Sequence, residues 1–224
     1  MSVTRIEIKI CGLTTPASAI DCVAMGADAI GMVFHPTSPR NLQPPQAQEI
    51  AQNLPAGVAK VGVFVNQTAD EILRISEYVG LNTVQFHGKP VASFHERLAR
   101  HGLHFVQKLC GSGNRLLAQV RLLPPAIGVL VECGRGALPG GNGTPWNWDE
   151  AIVLRDLRPF AVAGGLDAAN VAQALAVSGA SAVDISSGVE VAPGIKDLSK
   201  VTAFIAAVRA SGAQGGGRVF RTGG

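Results

Sequence analysis

Cys11 stands between the apolar run 6–10 and the short turn Gly12-Leu13-Thr14. A thiol in that setting can be tuned towards thiolate and accept a proton. Free cysteines are also among the most buried residue types and often only fill space, so Cys11 taken alone leaves both readings open. Glu132 ends a second apolar run, 127–131, and a loop with Gly134, Gly136, Gly140, Gly141 and Gly143 follows it before Trp146 and Trp148. A carboxyl shielded by such a cover suits a general acid, because burial raises its pKa towards neutrality. A loop-anchoring glutamate fits the same position equally well.

Anion binding has stronger signals. The turns Ala163-Gly164-Gly165-Leu166 and Ser186-Ser187-Gly188 each follow an apolar run. Glycines let backbone N–H groups approach an anion closely, serine hydroxyls add donors, and a following helix start adds partial positive charge. Two such turns in succession favour a phosphorylated ligand. Arg40 closes the stiff loop His35-Pro36-Thr37-Ser38-Pro39, where a guanidinium can hold a carboxylate or phosphate through paired bonds; a lone surface arginine is more often solvated. His87, in Gln85-Phe86-His87-Gly88, either orients a ligand or satisfies a backbone group.

The rest of the chain must hold these residues in place. With 224 residues, 47% hydrophobic and only 16% charged, it can bury one large core or two small ones and is too apolar for disorder along most of its length. A net charge of +3 without a basic run argues against nucleic-acid partners. No stretch nears the ~18 apolar residues of a membrane span, and residues 1–10 lack the pattern of a signal peptide, so a cytoplasmic protein without membrane contact is expected. Cys11, Cys22, Cys110 and Cys133 are scattered, which fits reduced thiols and no metal site.

Eight short apolar runs, at 6–10, 29–34, 59–65, 83–86, 104–109, 127–131, 160–163 and 182–185, alternate with segments of helical period. Continuous rather than alternating apolarity marks strands covered on both faces, as in a parallel sheet. Helix signals lie between them. Thr15-Pro16 predicts an N-cap and first helical position, Thr68 with Glu71 a capping box, and Asp167 a cap for the helix after Gly164-Gly165. Ile72, Ile75 and Val79, and later Val201, Phe204, Ile205 and Val208, each mark one helix face. Eight strand–helix pairs without a linker predict a single (β/α)8 TIM barrel of eight parallel strands over 1–209. A doubly wound sheet would call for G-x-G-x-x-G after the first strand, and the turn there reads Cys11-Gly12-Leu13-Thr14. Residues 210–224, rich in glycine, are expected as a flexible tail. In such a barrel the chemistry gathers at the carboxyl ends of the strands, with phosphate after the last two.

The strand ends resemble one family, phosphoribosylanthranilate isomerase. The likeness runs in order through Lys9-Ile10-Cys11-Gly12-Leu13-Thr14, Phe34 with Ser38-Pro39-Arg40, and Val84-Gln85-Phe86-His87-Gly88. It continues in Gly140-Gly141-Asn142-Gly143-Thr144 with Trp148, Ala163-Gly164-Gly165-Leu166, and Val183-Asp184-Ile185-Ser186-Ser187-Gly188-Val189-Glu190 with Gly194-Ile195-Lys196-Asp197. The resemblance implies a cofactor-free, metal-free Amadori rearrangement of a phosphorylated aminosugar joined to anthranilate, a step of tryptophan biosynthesis. It implies Cys11 as the base at ribose C2 and Arg40 as the holder of the anthranilate carboxylate. It further implies His87 as a positioning group, and Gly164, Gly165, Ser186, Ser187 and Gly188 as the phosphate cradle. Glu132 stands where the family usually places an aspartic general acid, one methylene longer. Asn142 and Asn147 also depart from the usual Thr and Asp. Another phosphosugar isomerase or synthase on the same barrel, or a barrel that binds such a ligand without turning it over, remains an alternative. Monomer and homodimer are both compatible with the sequence.

Overall fold

The computed structural model describes residues 4–89, 93–133 and 146–221. Eight strands, β1 Glu7–Cys11, β2 Ala29–Val33, β3 Ala59–Phe64, β4 Thr83–Phe86, β5 His104–Leu109, β6 Gly128–Val131, β7 Phe160–Ala163 and β8 Ala182–Ile185, pair in chain order. Every pairing is parallel, and β8 returns to β1 through Lys9 opposite Asp184 and Ile10 opposite Ile185, so the sheet closes into a barrel. The predicted runs match these strands to within a residue or two at each end. Cys11 is the last residue of β1, at the strand end where the sequence places it.

Side-chain parity sorts the core into two layers. Ile8, Ile10, Ile30, Met32, Val84, Phe86, Val129 and Val131 face the helices, while Ala29, Ala59, Val61, Val106, Leu130, Ala161 and Ala182 fill the barrel. Both sets are buried, which is why the strands read as continuous apolar runs. Burial of each large aliphatic side chain stabilises the fold by roughly 1.5–3 kcal/mol.

The helices are α1 Pro16–Ala24, α2 Pro44–Gln52, α3 Ala69–Val79, α4 Phe94–Arg100, α5 Gly113–Arg121, α6 Val171–Ser178 and α7 Leu198–Ala210. Between β6 and β7 the described chain forms a 3-10 helix, Trp148–Leu154, in place of an α-helix. Thr15 caps α1 by accepting from Ser18 N at 3.3 Å, with Pro16 as its first residue. Thr68 and Glu71 form the capping box of α3. Ile72 and Val79 are buried, Ile75 packs partly buried against the same core, and Val201, Phe204, Ile205 and Val208 line the inner face of α7. Asp167 is corrected: its Oδ1 accepts from Ala169 N and Asn170 N, so it caps the turn before α6, which begins only at Val171.

The chain beyond α7 also departs from expectation. Gln214–Gly215 pairs antiparallel with Thr4–Arg5, and Val219 and Phe220 are each 1% exposed. Glu7 Oε2 accepts from Val219 N at 2.5 Å and Phe220 N at 3.1 Å, Thr83 Oγ1 donates to Arg221 O at 2.9 Å, and His104 Nε2 donates to Val219 O at 3.0 Å. Glu7, Thr83 and His104 begin β1, β4 and β5, so the tail closes the amino end of the barrel. Its glycines serve close approach: a Cβ on Gly217, at φ +147°, would lie 2.8 Å from Pro159 Cγ. Glycine content alone therefore misrepresents this segment as loose. Among the described residues, no helix is long and apolar enough to cross a membrane.

His104 carries a pH-dependent part of this closure. Burial, with the nearby Arg221, pushes its pKa down to about 4, whereas the unfolded chain protonates near the ordinary value of ~6.5. Between those values the unfolded state holds the extra proton, so stability falls as pH drops from ~6.5 to ~4, by up to roughly 3 kcal/mol. Urea titrations across that window should show a steeper loss in wild type than in His104→Gln, whose amide does not titrate. Parallel curves would refute the assignment.

Candidate active site

All nine residues singled out from the sequence line one pocket at the carboxyl ends of the strands. It holds about 770 Å³ including its open mouth, and Cys11, Arg40, His87, Glu132, Gly164, Gly165, Ser186, Ser187 and Gly188 all border it. Their order around the ring is informative. Cys11 ends β1 and Glu132 follows β6, and between them run β8 and β7, whose turns carry Ser186-Ser187-Gly188 and Gly164-Gly165. The Gly/Ser turns thus occupy the arc between thiol and carboxyl, and Arg40, after β2, lies on the far side of Cys11.

Cys11 is 9% exposed, and burial raises its thiol pKa above the ordinary range. Lys9, two residues earlier on the same inward face, opposes that shift through its charge and a hydrogen bond to the sulfur. The Lys9 ammonium is fully buried and bonds Asp184 Oδ1 at 2.8 Å across the β1–β8 pair. Burial alone would favour its neutral amine, but Asp184 and Cys11 outweigh this and hold Lys9 protonated. Gly31 makes room for the contact. A Cβ there would lie 2.7 Å from Cys11 Sγ and 3.0 Å from Lys9 Nζ, so both groups converge over a position that can carry no side chain.

Arg40 is buried, contrary to the picture of a solvated loop residue, at 6% exposure. Its Nε donates to Glu190 Oε1 at 2.9 Å and its Nη2 to Oε2 at 2.6 Å, a fork between the loop after β2 and the strand Glu190–Ala192 after β8. Lys196 Nζ donates to the same Oε1 at 2.6 Å. Burial favours the neutral carboxyl of Glu190, yet the bonds from Arg40 and Lys196 win and hold its pKa below the ordinary value. The methylenes of Arg40 cross Gly12, where a Cβ would stand 2.4 Å from Cδ and where φ is +78°. Two of the five guanidinium donors are engaged by Glu190.

Glu132 is 8% exposed, its N–H donates to Leu109 O at 3.0 Å, and its Cγ lies over Gly164. The loop Gly134–Gly143 and Asn142, read as a cover from the sequence, lie outside the described residues. Trp146 is described; its Nε1 donates to Ala163 O at 2.8 Å, and its ring borders Gly164. His87 meets Gln85 Nε2 through its own Nε2 at 2.9 Å, while Gln85 Oε1 is buried without a hydrogen bond among the described residues. Gly164 and Gly165 have φ of +89° and +70°, and a Cβ on Gly188 would collide with Leu166 O at 2.1 Å. Ser186 Oγ donates to Cys11 O at 3.0 Å, tying the turn after β8 to the backbone at the end of β1. The helix expected directly behind Gly164-Gly165 is separated from them by the Asp167 turn; after β8 a 3-10 turn, Ser187–Val189, starts within the pocket wall.

Four participants carried no assigned role in the sequence reading: Lys9, Asp184, Glu190 and Lys196. The first two had a signal, since a charged residue inside a strand buried on both faces must find a partner. Their pairing depends on the β1–β8 register. Glu190 and Lys196 carried no such signal, and it is the antiparallel pairing of Glu190 with Lys196 that brings the two together.

Residues 8–207 match the family model described as N-(5'phosphoribosyl)anthranilate (PRA) isomerase. Among curated relatives, the N-(5'-phosphoribosyl)anthranilate isomerase of Pseudomonas paraeruginosa is 42% identical over 209 residues, 92% of this chain and 97% of that protein. That of Desulfatibacillum aliphaticivorans is 41% identical over 201 residues, 90% of this chain and 92% of that protein. The crystal structure of phosphoribosyl anthranilate isomerase from Thermotoga maritima superposes with a TM-score of 0.83 at 34% identity, covering 92% of this chain and 99% of that one. A second such structure, in complex with reduced 1-(o-carboxyphenylamino)-1-deoxyribulose 5-phosphate, gives 0.80 at 33% identity over 92% and 99%. By sequence and fold alike, this chain belongs to the N-(5'-phosphoribosyl)anthranilate isomerase family.

Proposed function

We propose that the chain converts N-(5'-phosphoribosyl)anthranilate to 1-(2-carboxyphenylamino)-1-deoxyribulose 5-phosphate in the cytoplasm, as a step of tryptophan biosynthesis. The observation that carries this reading is the placement of a thiol and a carboxyl at the two ends of an arc of Gly/Ser turns in one pocket. Phosphate in the turns after β7 and β8 lays the ribose between Cys11 and Glu132. Protonated Glu132 gives its proton to the furanose ring oxygen as the C1–O bond breaks, and the anilino nitrogen becomes the iminium of the open chain. The iminium makes the C2 proton acidic, the Cys11 thiolate removes it, and the resulting enolamine tautomerises to the 2-ketose. Arg40 offers the anthranilate carboxylate the donors that Glu190 leaves free. His87 and Gln85 supply polar groups to the sugar.

The longer side chain at 132 has a local counterpart. Gly164 leaves space beside Glu132 Cγ, and the carboxyl can extend over that glycine without displacing the sugar. Shortening the side chain then withdraws the acid by ~1 Å, which costs on the order of 100-fold in rate.

Steady-state turnover of N-(5'-phosphoribosyl)anthranilate tests this scheme. Cys11→Ala and Glu132→Gln should each lower kcat by about 100- to 10,000-fold with an unchanged melting temperature. Glu132→Asp should lose about 100-fold. Near wild-type turnover in Cys11→Ala removes the assigned base. Turnover only of the related imidazole aminoaldose phosphate would transfer the chain to a neighbouring reaction, and failure to rescue a tryptophan-requiring host lacking this isomerase would leave a binding protein.

Inorganic phosphate should compete with substrate, and Gly188→Ala, which drives a methyl into Leu166 O, should raise its inhibition constant and KM together. Unchanged phosphate inhibition in that variant places the phosphate elsewhere.

A further inference from the structure

The barrel interior beneath Cys11 contains charge that the reaction scheme does not use. Lys9 and Asp184 are 0% and 8% exposed and bonded at 2.8 Å. A buried ion pair contributes little to stability against an apolar pair of similar shape, because desolvation opposes the Coulomb gain. Its position suggests a different use. Lys9 points inward one step below Cys11, Gly31 leaves the gap in which Nζ and Sγ meet, and Asp184 fixes the ammonium from the neighbouring strand.

The floor beneath this pair is built by the C-terminal segment, outside the residues that match the family. Phe220 lies under the ammonium, with Lys9 Nζ 5.8 Å from its ring centroid, and Val219 and Phe220 join Ala29, Ala59, Ala161 and Ala182 in the plug. Water is thus excluded from one side of Lys9. In a medium of low dielectric constant its charge acts more strongly on a neighbouring sulfur than it would in solvent.

We propose that Lys9 is a positioning residue for the reaction, its ammonium clamped by Asp184 and floored by Val219 and Phe220 so that it holds the Cys11 sulfur in place and stabilises its thiolate. The proposal rests on the reading of Cys11 as the base. Other charges also face the sulfur: Asp184 from β8, Lys196 from the hairpin after β8 and Arg40 from the loop after β2, the last two neutralised in part by Glu190. Among these five groups one positive charge is in excess, and Lys9 alone among the cations shares the inward face of β1 with the thiol. Glu132, His35 and His87 line the same pocket.

Peptide-resolved labelling with iodoacetamide, which reacts with thiolate, reads Cys11 directly and separately from Cys110 and Cys133. The midpoint of the Cys11 labelling rate against pH is compared in wild type, Lys9→Gln, which keeps a donor for Asp184, and Lys9→Met/Asp184→Asn, which removes both charges so that neither is stranded. Both variants should label with a higher midpoint, by about one to two on the pH scale in Lys9→Gln and by less in the double variant, where loss of the Asp184 charge partly offsets loss of the ammonium. In Lys9→Gln kcat/KM should fall roughly 10- to 100-fold at pH 7 and recover as pH rises, because below the midpoint the thiolate fraction changes about tenfold for each step of one in pH. An unmoved midpoint in either variant, with its melting transition retained, overturns the proposal. If Cys11→Ala stays active while the midpoint moves, the base assignment fails and the electrostatic couple between Lys9 and the sulfur stands.

Discussion

Closing eight parallel strands into a ring is the constraint on which the other features depend. Each strand then has helices on one face and the barrel interior on the other, and neither face meets water. Apolar residues occupy both parities, and polar groups are confined to strand ends or to pairs that satisfy one another inside. The 16% share of charged residues follows from this arrangement, as does the concentration of reactive side chains at one rim.

The exceptions inside the ring define the site. Lys9, Asp184, Glu132 and Gln85 point inward where most of their neighbours are alanine, valine or leucine. Two buried charge groups divide the work: Lys9 with Asp184 sits under the thiol, and Arg40 with Glu190 and Lys196 ties the loop after β2 to the hairpin after β8. Removing Lys9, Asp184 or Glu190 would leave an unpaired buried charge, typically costing about 3–5 kcal/mol. Such groups are therefore poor stabilisers and good specifiers of geometry. Gly12 and Gly31 complete them by their lack of a side chain, since each lies where a Cβ would strike Arg40 or the Lys9–Cys11 contact.

Much of this was legible in the order of residues alone. Continuous apolar runs located the strands, helix caps at Thr15 and Thr68 located two helix starts, and the residues just past the runs proved to share one pocket. Two readings failed for identifiable reasons. Asp167 follows the capping pattern but bonds to a turn, because helix 171–178 starts later than its sequence signal suggests. The glycine-rich end read as loose because composition does not show that Glu7, Thr83 and His104 present partners to its backbone at the amino end of the barrel. Arg40 was placed at the right rim, but its fork with a carboxylate 150 residues later was not visible.

By itself the sequence determined the number and order of strands, the identity of the residues at their carboxyl ends and the family likeness, because period and apolarity are local properties of a chain. Tertiary structure decided which charges meet. The pairing of Lys9 with Asp184, of Arg40 with Glu190, and of the last residues with the barrel floor depends on the register of the closing β1–β8 pair and on hairpin geometry. These contacts join positions that are remote in sequence, and no local pattern specifies them.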